Sequence, residues 1–205
     1  MSGCFFCFDG LDGSGKSTQM ELFGEWLAET GVPYITCRDP GSTPLGEKLR
    51  DLLLNHHELS ISMISEMLLY QAARAQLVEE VIRPALTAGT TVVSDRFLLA
   101  NVVYQGHAGG LSVADIWHVG QLATGGLLPD LTFLFDLDAT AARNRLSGPA
   151  DRLESRGLDY WQRVRDGYLA EAQGRNDVVV VDAQQTVEAI QAELRRLAAP
   201  RIERQ

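Results

Sequence analysis

No apolar run in the sequence approaches the ~18 residues that a membrane-crossing helix requires. The opening Met1-Ser2-Gly3 leads straight into a strand-like segment without a basic region, so no secretory signal is expected and the cytoplasm is the default location. Positive charge is scarce: 18 Lys and Arg face 27 Asp and Glu, for a net charge of −9. That balance speaks against a nucleic-acid polymer as partner, which calls for a basic footprint, but it leaves room for a small phosphorylated ligand in a local positive pocket. Cysteine is nearly absent, with three residues. Cys4 and Cys7 have CxxC spacing, yet residues three apart on a strand point to opposite faces, so they read as core thiols. The four histidines form no cluster with metal-ligand spacing. There is no internal repeat and no low-complexity linker.

What is present is alternation. The runs CFFCF, VPYITC, TTVVS, LTFLFDL and VVVV (178–181) read as strands, several apolar on both faces, as in a parallel sheet covered on both sides. Between the first two, Met20, Phe23, Trp26 and Leu27 share a helical stripe that Gly31 can stop. One long helix is expected over 60–88, with Pro84 as a kink or break. Shorter helices are expected near 44–54, 98–105, 112–124, 156–173 and 185–198. Strand–helix alternation implies right-handed βαβ crossovers, hence one domain over residues 1–205: a doubly wound α/β fold with a parallel five-stranded sheet and helices on both faces.

The stretch FDGLDGSGKST places G-x-x-x-x-G-K-S between a strand and a helix, the context this motif requires. Glycines let successive amides turn inward as an anion nest, and the following helix adds its positive end. Gly10, Leu11, Asp12, Gly13, Ser14, Gly15, Lys16, Ser17 and Thr18 are therefore assigned to a nucleoside triphosphate. Lys16 reaches the β- and γ-phosphates, and the Ser17 hydroxyl is a Mg²⁺ ligand. The fold is thus of the P-loop NTPase type. Neither a guanine-reading N-K-x-D segment nor an L-S-G-G-Q segment is present, so a GTPase switch or a transporter-type ATPase is not indicated.

In open α/β sheets, ligands gather beyond the carboxyl ends of the strands. Here those ends carry Asp9, the segment Arg38–Thr43, Asp95-Arg96, and Asp136 with Asp138. A planar guanidinium suits a phosphate, so Arg96 is a candidate for an acceptor phosphate, and Asp95 for an outer Mg²⁺ contact. An Asp–Arg pair that merely caps the strand is the plainer alternative. Glu66, Tyr70 and Arg74 share one helical face, on which Tyr70 stacks a base and Arg74 bonds its edge or the ester phosphate, or on which a Tyr is simply packed beside an exposed Arg. Asn101 and Gln105, also four apart, present amides to a base edge beside Tyr104. Residues 143–165 hold six Arg against three acids. They read as a solvated face or as a mobile lid, about 143–157, that brings arginines over the transferring group.

Taken together, these residues resemble the bacterial thymidylate kinases over about residues 5–190. FDGLDGSGKSTQ is similar to the family's phosphate loop, RDPGSTPLGEKLRDLLL to its R-E-P-G-G-T segment, and LLYQAARAQLVEEVIRPAL to its long helix. VVSDRFLLANVVYQG resembles D-R-Y…Y-Q-G, PDLTFLFDLD its P-D-L-T strand, and DRLE its lid motif. The resemblance implies transfer of the ATP γ-phosphoryl group to dTMP with Mg²⁺, in a homodimer. It implies a catalytic set of Asp9, Lys16, Arg96 and Arg152, with Arg143 toward ATP and Arg145 and Arg156 as further lid arginines. Asp12, Arg38, Tyr70, Arg74, Arg96, Asn101, Tyr104 and Gln105 would meet dTMP, Tyr104 crowding out a ribose 2′-hydroxyl. The sequence departs from the family pattern at Asp39 (usually Glu), Ser42 (Gly), Ala100 (Ser) and Gly109 (Arg). A kinase for another nucleoside monophosphate or for a deoxynucleoside is the alternative, and an inactive nucleotide-binding protein is the second.

Overall fold

The structure is a computed structural model, and it describes residues 3–56, 58–146, 152 and 156–203. Strands β1 (Phe5–Gly10), β2 (Tyr34–Arg38), β3 (Thr91–Asp95), β4 (Leu131–Asp136) and β5 (Val178–Asp182) form one all-parallel sheet in the order β2-β3-β1-β4-β5. β1 lies at the centre and is buried along its whole length, which explains why it is apolar on both faces. Phe6 and Phe8 point to one side, into a core with Phe23, Leu27, Phe133 and Phe135. Phe5 and Cys7 point to the other, among Met67, Leu77, Val92, Phe97 and Ile116. Cys4 and Cys7 accordingly belong to different cores. Edge-to-face ring pairs hold both layers, Phe8–Phe133 at 5.2 Å and Phe5–Phe97 at 5.0 Å.

The chain leaves β1 through helix α1 (Lys16–Glu29) toward β2 on one side, and later reaches β4 on the other side of β1. The strand order therefore reverses around β1, and a crevice opens beyond its carboxyl end. Helix α2 (Pro44–Leu54) starts as its sequence dictates, with Pro44 in the first turn and the Thr43 hydroxyl accepting from Gly46 N at 2.9 Å.

The helix expected over 60–88 is α3 (Met63–Leu77) running on through a π-helical turn, Val78–Ile82, into α4 (Arg83–Thr87). Pro84 cannot donate to a carbonyl one turn back, and the wider turn just before it absorbs that loss without ending the helix. The expected helix near 98–105 is likewise split into α5 (Leu98–Asn101) and a π-helical run, Val102–His107. Helix α6 (Val113–Thr124) follows, with Gly125 in the left-handed conformation at its end. α7 (Ala139–Asn144), six residues capped by Asp138, was not expected: it is too short to show a periodic apolar stripe. α8 (Leu158–Ala172) and α9 (Val187–Ile202) complete the layers. Among the described residues no helix is long and apolar enough to cross a membrane.

Candidate active site

The phosphate loop joins β1 to α1 with Gly10, Gly13 and Gly15 at φ of 132°, 78° and 93°. Close approach enforces the first two. A Cβ on Gly10 would lie 2.5 Å from Phe135 O, and one on Gly13 2.3 Å from Ala142 O. At Gly15 a Cβ would meet nothing within 4 Å, so the loop leaves open space just where the amides at the start of α1 point. Lys16 spans the loop, its Nζ donating to Leu11 O at 2.8 Å and Gly10 O at 3.2 Å, with Asp12 Oδ1 at 3.6 Å. Burial, followed by the positive charge of Arg96, pulls the Lys16 ammonium below its usual pKa. Ser14 is buried with an unpartnered hydroxyl, while Ser17 and Thr18 are exposed. A loop of this shape holds an anion chain.

Arg96 is the hinge between this loop and a second cavity. It follows β3 with φ at 66°, a conformation that non-glycine residues rarely adopt and that turns its side chain back over β1. One nitrogen donates to Asp12 Oδ1 at 2.7 Å and Tyr104 OH at 3.2 Å. The other donates to Tyr168 OH at 3.0 Å and Asp9 Oδ1 at 3.3 Å. Tyr168 OH in turn donates to Asp9 Oδ1 at 2.5 Å. Burial raises the Asp9 carboxyl above its usual pKa against the pull of Arg96 and Tyr168. For Asp12 burial works the same way, but Arg96 and Lys16 outweigh it and hold that carboxyl at about 2.

The second cavity has an interior volume of about 80 Å³. Asp12, Tyr70, Arg74, Arg96, Asn101, Tyr104 and Gln105 all line it, so seven residues singled out in the sequence converge from five segments of the chain. Arg74 is 1% exposed and makes four hydrogen bonds: it donates to Asp39 Oδ2 at 2.5 Å, Gln71 Oε1 at 2.8 Å, Asn101 Oδ1 at 3.1 Å and Phe97 O at 3.4 Å. Asn101 Nδ2 donates to Gln105 Oε1 at 2.6 Å, and Gln105 Nε2 to Glu66 Oε1 at 2.7 Å.

Arg50 also lines the cavity, with one nitrogen on Pro40 O at 3.0 Å, and sequence reasoning missed it. The available signal was its place on the buried face of α2, four residues after Gly46 and three before Leu53. Tyr168 was missed because it sits on the apolar stripe of α8 with Tyr160 and Val164, indistinguishable from a core aromatic.

Other expected residues lie elsewhere. Arg38 is half-exposed, paired with Glu47 at 2.7 Å, and borders a separate groove with Ser17 and Asp95. The turn beyond it is pinned by Ser42, whose φ is 62° and whose hydroxyl accepts from Arg38 N at 2.9 Å. Arg152 donates to Leu53 O at 2.7 Å and to Glu66 Oε2 at 2.5 Å. Arg143 and Arg145 are exposed at the end of α7, whose Ala142 carbonyl abuts Gly13. Of the expected lid segment, residues 147–151 and 153–155 lie outside the described residues. Gly109 is closed in by Gln105 O, Tyr104 O and Met63 Sδ, all within 3 Å of where a Cβ would stand.

Among the described residues no group of three or more His, Cys, Asp and Glu could hold a metal unaided. Even so, Asp9 Oδ2, Asp39 Oδ1 and Asp95 Oδ1 are buried without a hydrogen-bond partner, all near the carboxyl edge of the sheet. One hydroxyl from Ser17, a carboxylate beyond it, phosphate oxygens and water is the donor set that Mg²⁺ takes with a nucleotide, and these residues fit it.

The thymidylate kinase family model matches residues 8–194. The chain is 46% identical over 196 residues to the thymidylate kinase of Symbiobacterium thermophilum, covering 94% of this chain and 91% of that one. It is 46% identical over 191 residues to that of Rhodopirellula baltica, covering 92% and 77%. It is 41% identical over 197 residues to that of Exiguobacterium sibiricum, covering 95% and 93%.

Proposed function

The chain belongs to the thymidylate kinase family, phosphotransferases that use ATP to phosphorylate dTMP, and we propose that the two neighbouring cavities divide that work. The phosphate loop holds the ATP triphosphate, with Lys16 swinging from the loop carbonyls onto the β- and γ-phosphates. The cavity walled by Tyr70, Arg74 and Tyr104 holds dTMP. Tyr70 stacks on the base, Arg74, Asn101 and Gln105 read its edge, and Tyr104 crowds the sugar. Arg96 and Arg50 face the monophosphate. A phosphate oxygen of dTMP then attacks the γ-phosphorus, the bond to the β-phosphate oxygen breaks, and ADP leaves with the electron pair. No side chain need remove a proton, because the attacking oxygen is already an anion. Alignment and charge neutralisation supply the acceleration. When bound, Mg²⁺ neutralises charge on the β- and γ-phosphates, held by Ser17 with Asp95 beyond it. Arg143, and Arg145 whose Cβ lies beside Gly13, are assigned to the ATP side, and Arg152 is retained as a lid arginine over the transferring group.

The observation that carries this reading is the position of Arg96, which lines the second cavity and donates to Asp12 of the phosphate loop. Mixing the protein with ATP, Mg²⁺ and dTMP should release ADP, and dCMP, dGMP or thymidine in place of dTMP should release far less. No ADP from dTMP rejects the reading. We place the protein in the cytoplasm as a single kinase domain with a lid near 143–157.

A homodimer through helices completes the proposal. Leu122 on α6 is 84% exposed, and Ile64 and Leu68 on the adjoining α3 are 57% and 50% exposed, apolar side chains that a second copy could cover. Leu122→Glu is expected to convert the dimer to monomer in sedimentation velocity. An unchanged sedimentation coefficient places the interface elsewhere.

A further inference from the structure

Glu66 stands in the first turn of α3, and its carboxylate is fully buried. A buried carboxylate is costly unless its oxygens are satisfied, and here they serve two separate groups. Oε1 accepts from Gln105 Nε2 at 2.7 Å. Oε2 accepts from Arg152 at 2.5 Å and from Arg156 at 2.8 Å. Arg156 is also tied to Tyr160 OH at 2.8 Å, and that hydroxyl donates to Tyr104 O at 2.8 Å.

The first contact ends a chain of hydrogen bonds that all run one way: Arg74 to Asn101, Asn101 to Gln105, Gln105 to Glu66. An amide can be flipped, because its oxygen and nitrogen exchange places at little cost in shape. A guanidinium cannot, since it only donates, and an ionised carboxylate only accepts. The two charged ends therefore fix which atom each amide turns toward the cavity.

Resting on the reading of this cavity as the dTMP site, we propose that Glu66 is a positioning residue: its carboxylate sets the direction of the Gln105 and Asn101 amides and anchors Arg152 and Arg156 at the same point. Glutamine cannot replace it. If the single amide oxygen faces Gln105, the new NH₂ group confronts two guanidiniums. If the oxygen faces the arginines, that NH₂ group meets Gln105 Nε2, and flipping both amides only moves the clash to Arg74. Exchanging the two residues avoids the conflict. With Glu66→Gln and Gln105→Glu together, the amide at position 66 accepts from the arginines and donates to the carboxylate at position 105, which also accepts from Asn101.

The test measures steady-state kinetics and trypsin cleavage on the full chain. Glu66→Gln is expected to raise KM for dTMP about tenfold while KM for ATP stays within about twofold. Trypsin should cut faster after Arg152 and Arg156. Glu66→Gln with Gln105→Glu should return cutting after Arg152 and Arg156 toward the wild-type rate. Wild-type KM and wild-type cutting in the single variant overturn the proposal, as does a double variant no better than the single. Should Glu66→Gln fail to fold, the double variant decides: cutting after Arg152 and Arg156 near the wild-type rate supports the proposal, and faster cutting overturns it. A wild-type protein that makes no ADP from dTMP sinks the dTMP reading instead, and the trypsin rates then decide the anchoring.

Discussion

Arg96→Ala is expected to lower kcat for ADP formation from ATP and dTMP about 100- to 1,000-fold, the usual effect of removing a positioned donor from a developing charge. The geometry gives two reasons. Arg96 lines the acceptor cavity, so its loss removes positive charge where two phosphate groups must approach one another. It also bonds Asp12 and Asp9, so its loss leaves two carboxylates facing the incoming anions without their counter-charge. Arg96 is the foremost of the two charges that hold the Asp12 carboxyl at about 2, so in the variant burial pushes that carboxyl upward with Lys16 left to oppose it. Arg96→Lys should fall between, because an ammonium keeps the charge but loses the fork that reaches Asp12 and Tyr168 together. A kcat within about threefold of wild type for Arg96→Ala would remove Arg96 from the reaction.

Arg74→Leu should act chiefly on stability. Arg74 and Asp39 are 1% and 0% exposed in their side chains, and removing one member of such a buried pair costs about 3–5 kcal/mol. For a chain of 205 residues that is a fall in Tm of roughly 6–20 °C. Replacing both, Arg74→Leu with Asp39→Leu, should recover part of the loss, since an apolar pair leaves no uncompensated charge. Recovery will be incomplete because Gln71 and Asn101 still lose the donor that Arg74 provides. Neither variant should regain wild-type KM for dTMP, because the cavity loses a guanidinium in both. Thermal melts and dTMP kinetics measure the two effects separately. A single variant as stable as wild type would show that the Asp39 charge is satisfied without Arg74.

Sequence periodicity carried the five strands, and the corrections fall where backbone geometry departs from the 3.6-residue repeat. The two π-helical turns, after Leu77 and after Asn101, widen helices without any change in residue pattern, so nothing local marks them. The second one bears on function: Tyr104 and Gln105 lie within it, and four-residue spacing alone would not give their directions. Arg50 and Tyr168 escaped because each looks ordinary in its own helix. Their roles come from partners 10 residues away in one case and 159 in the other.

By itself the sequence determined the parallel sheet, the phosphate loop and the family, because each depends on local rules: apolar runs that fit buried strands, glycines that fit positive φ, and short motifs in a fixed order. The fold alone decided which charges meet. Arg74 and Arg96 each looked able to reach a nucleotide directly, while Glu66 was read only as sharing a helical face with Arg74. In the folded chain each is bonded to neighbours that burial obliges it to satisfy, since at low dielectric an unpaired charge costs more than an ordering of side chains.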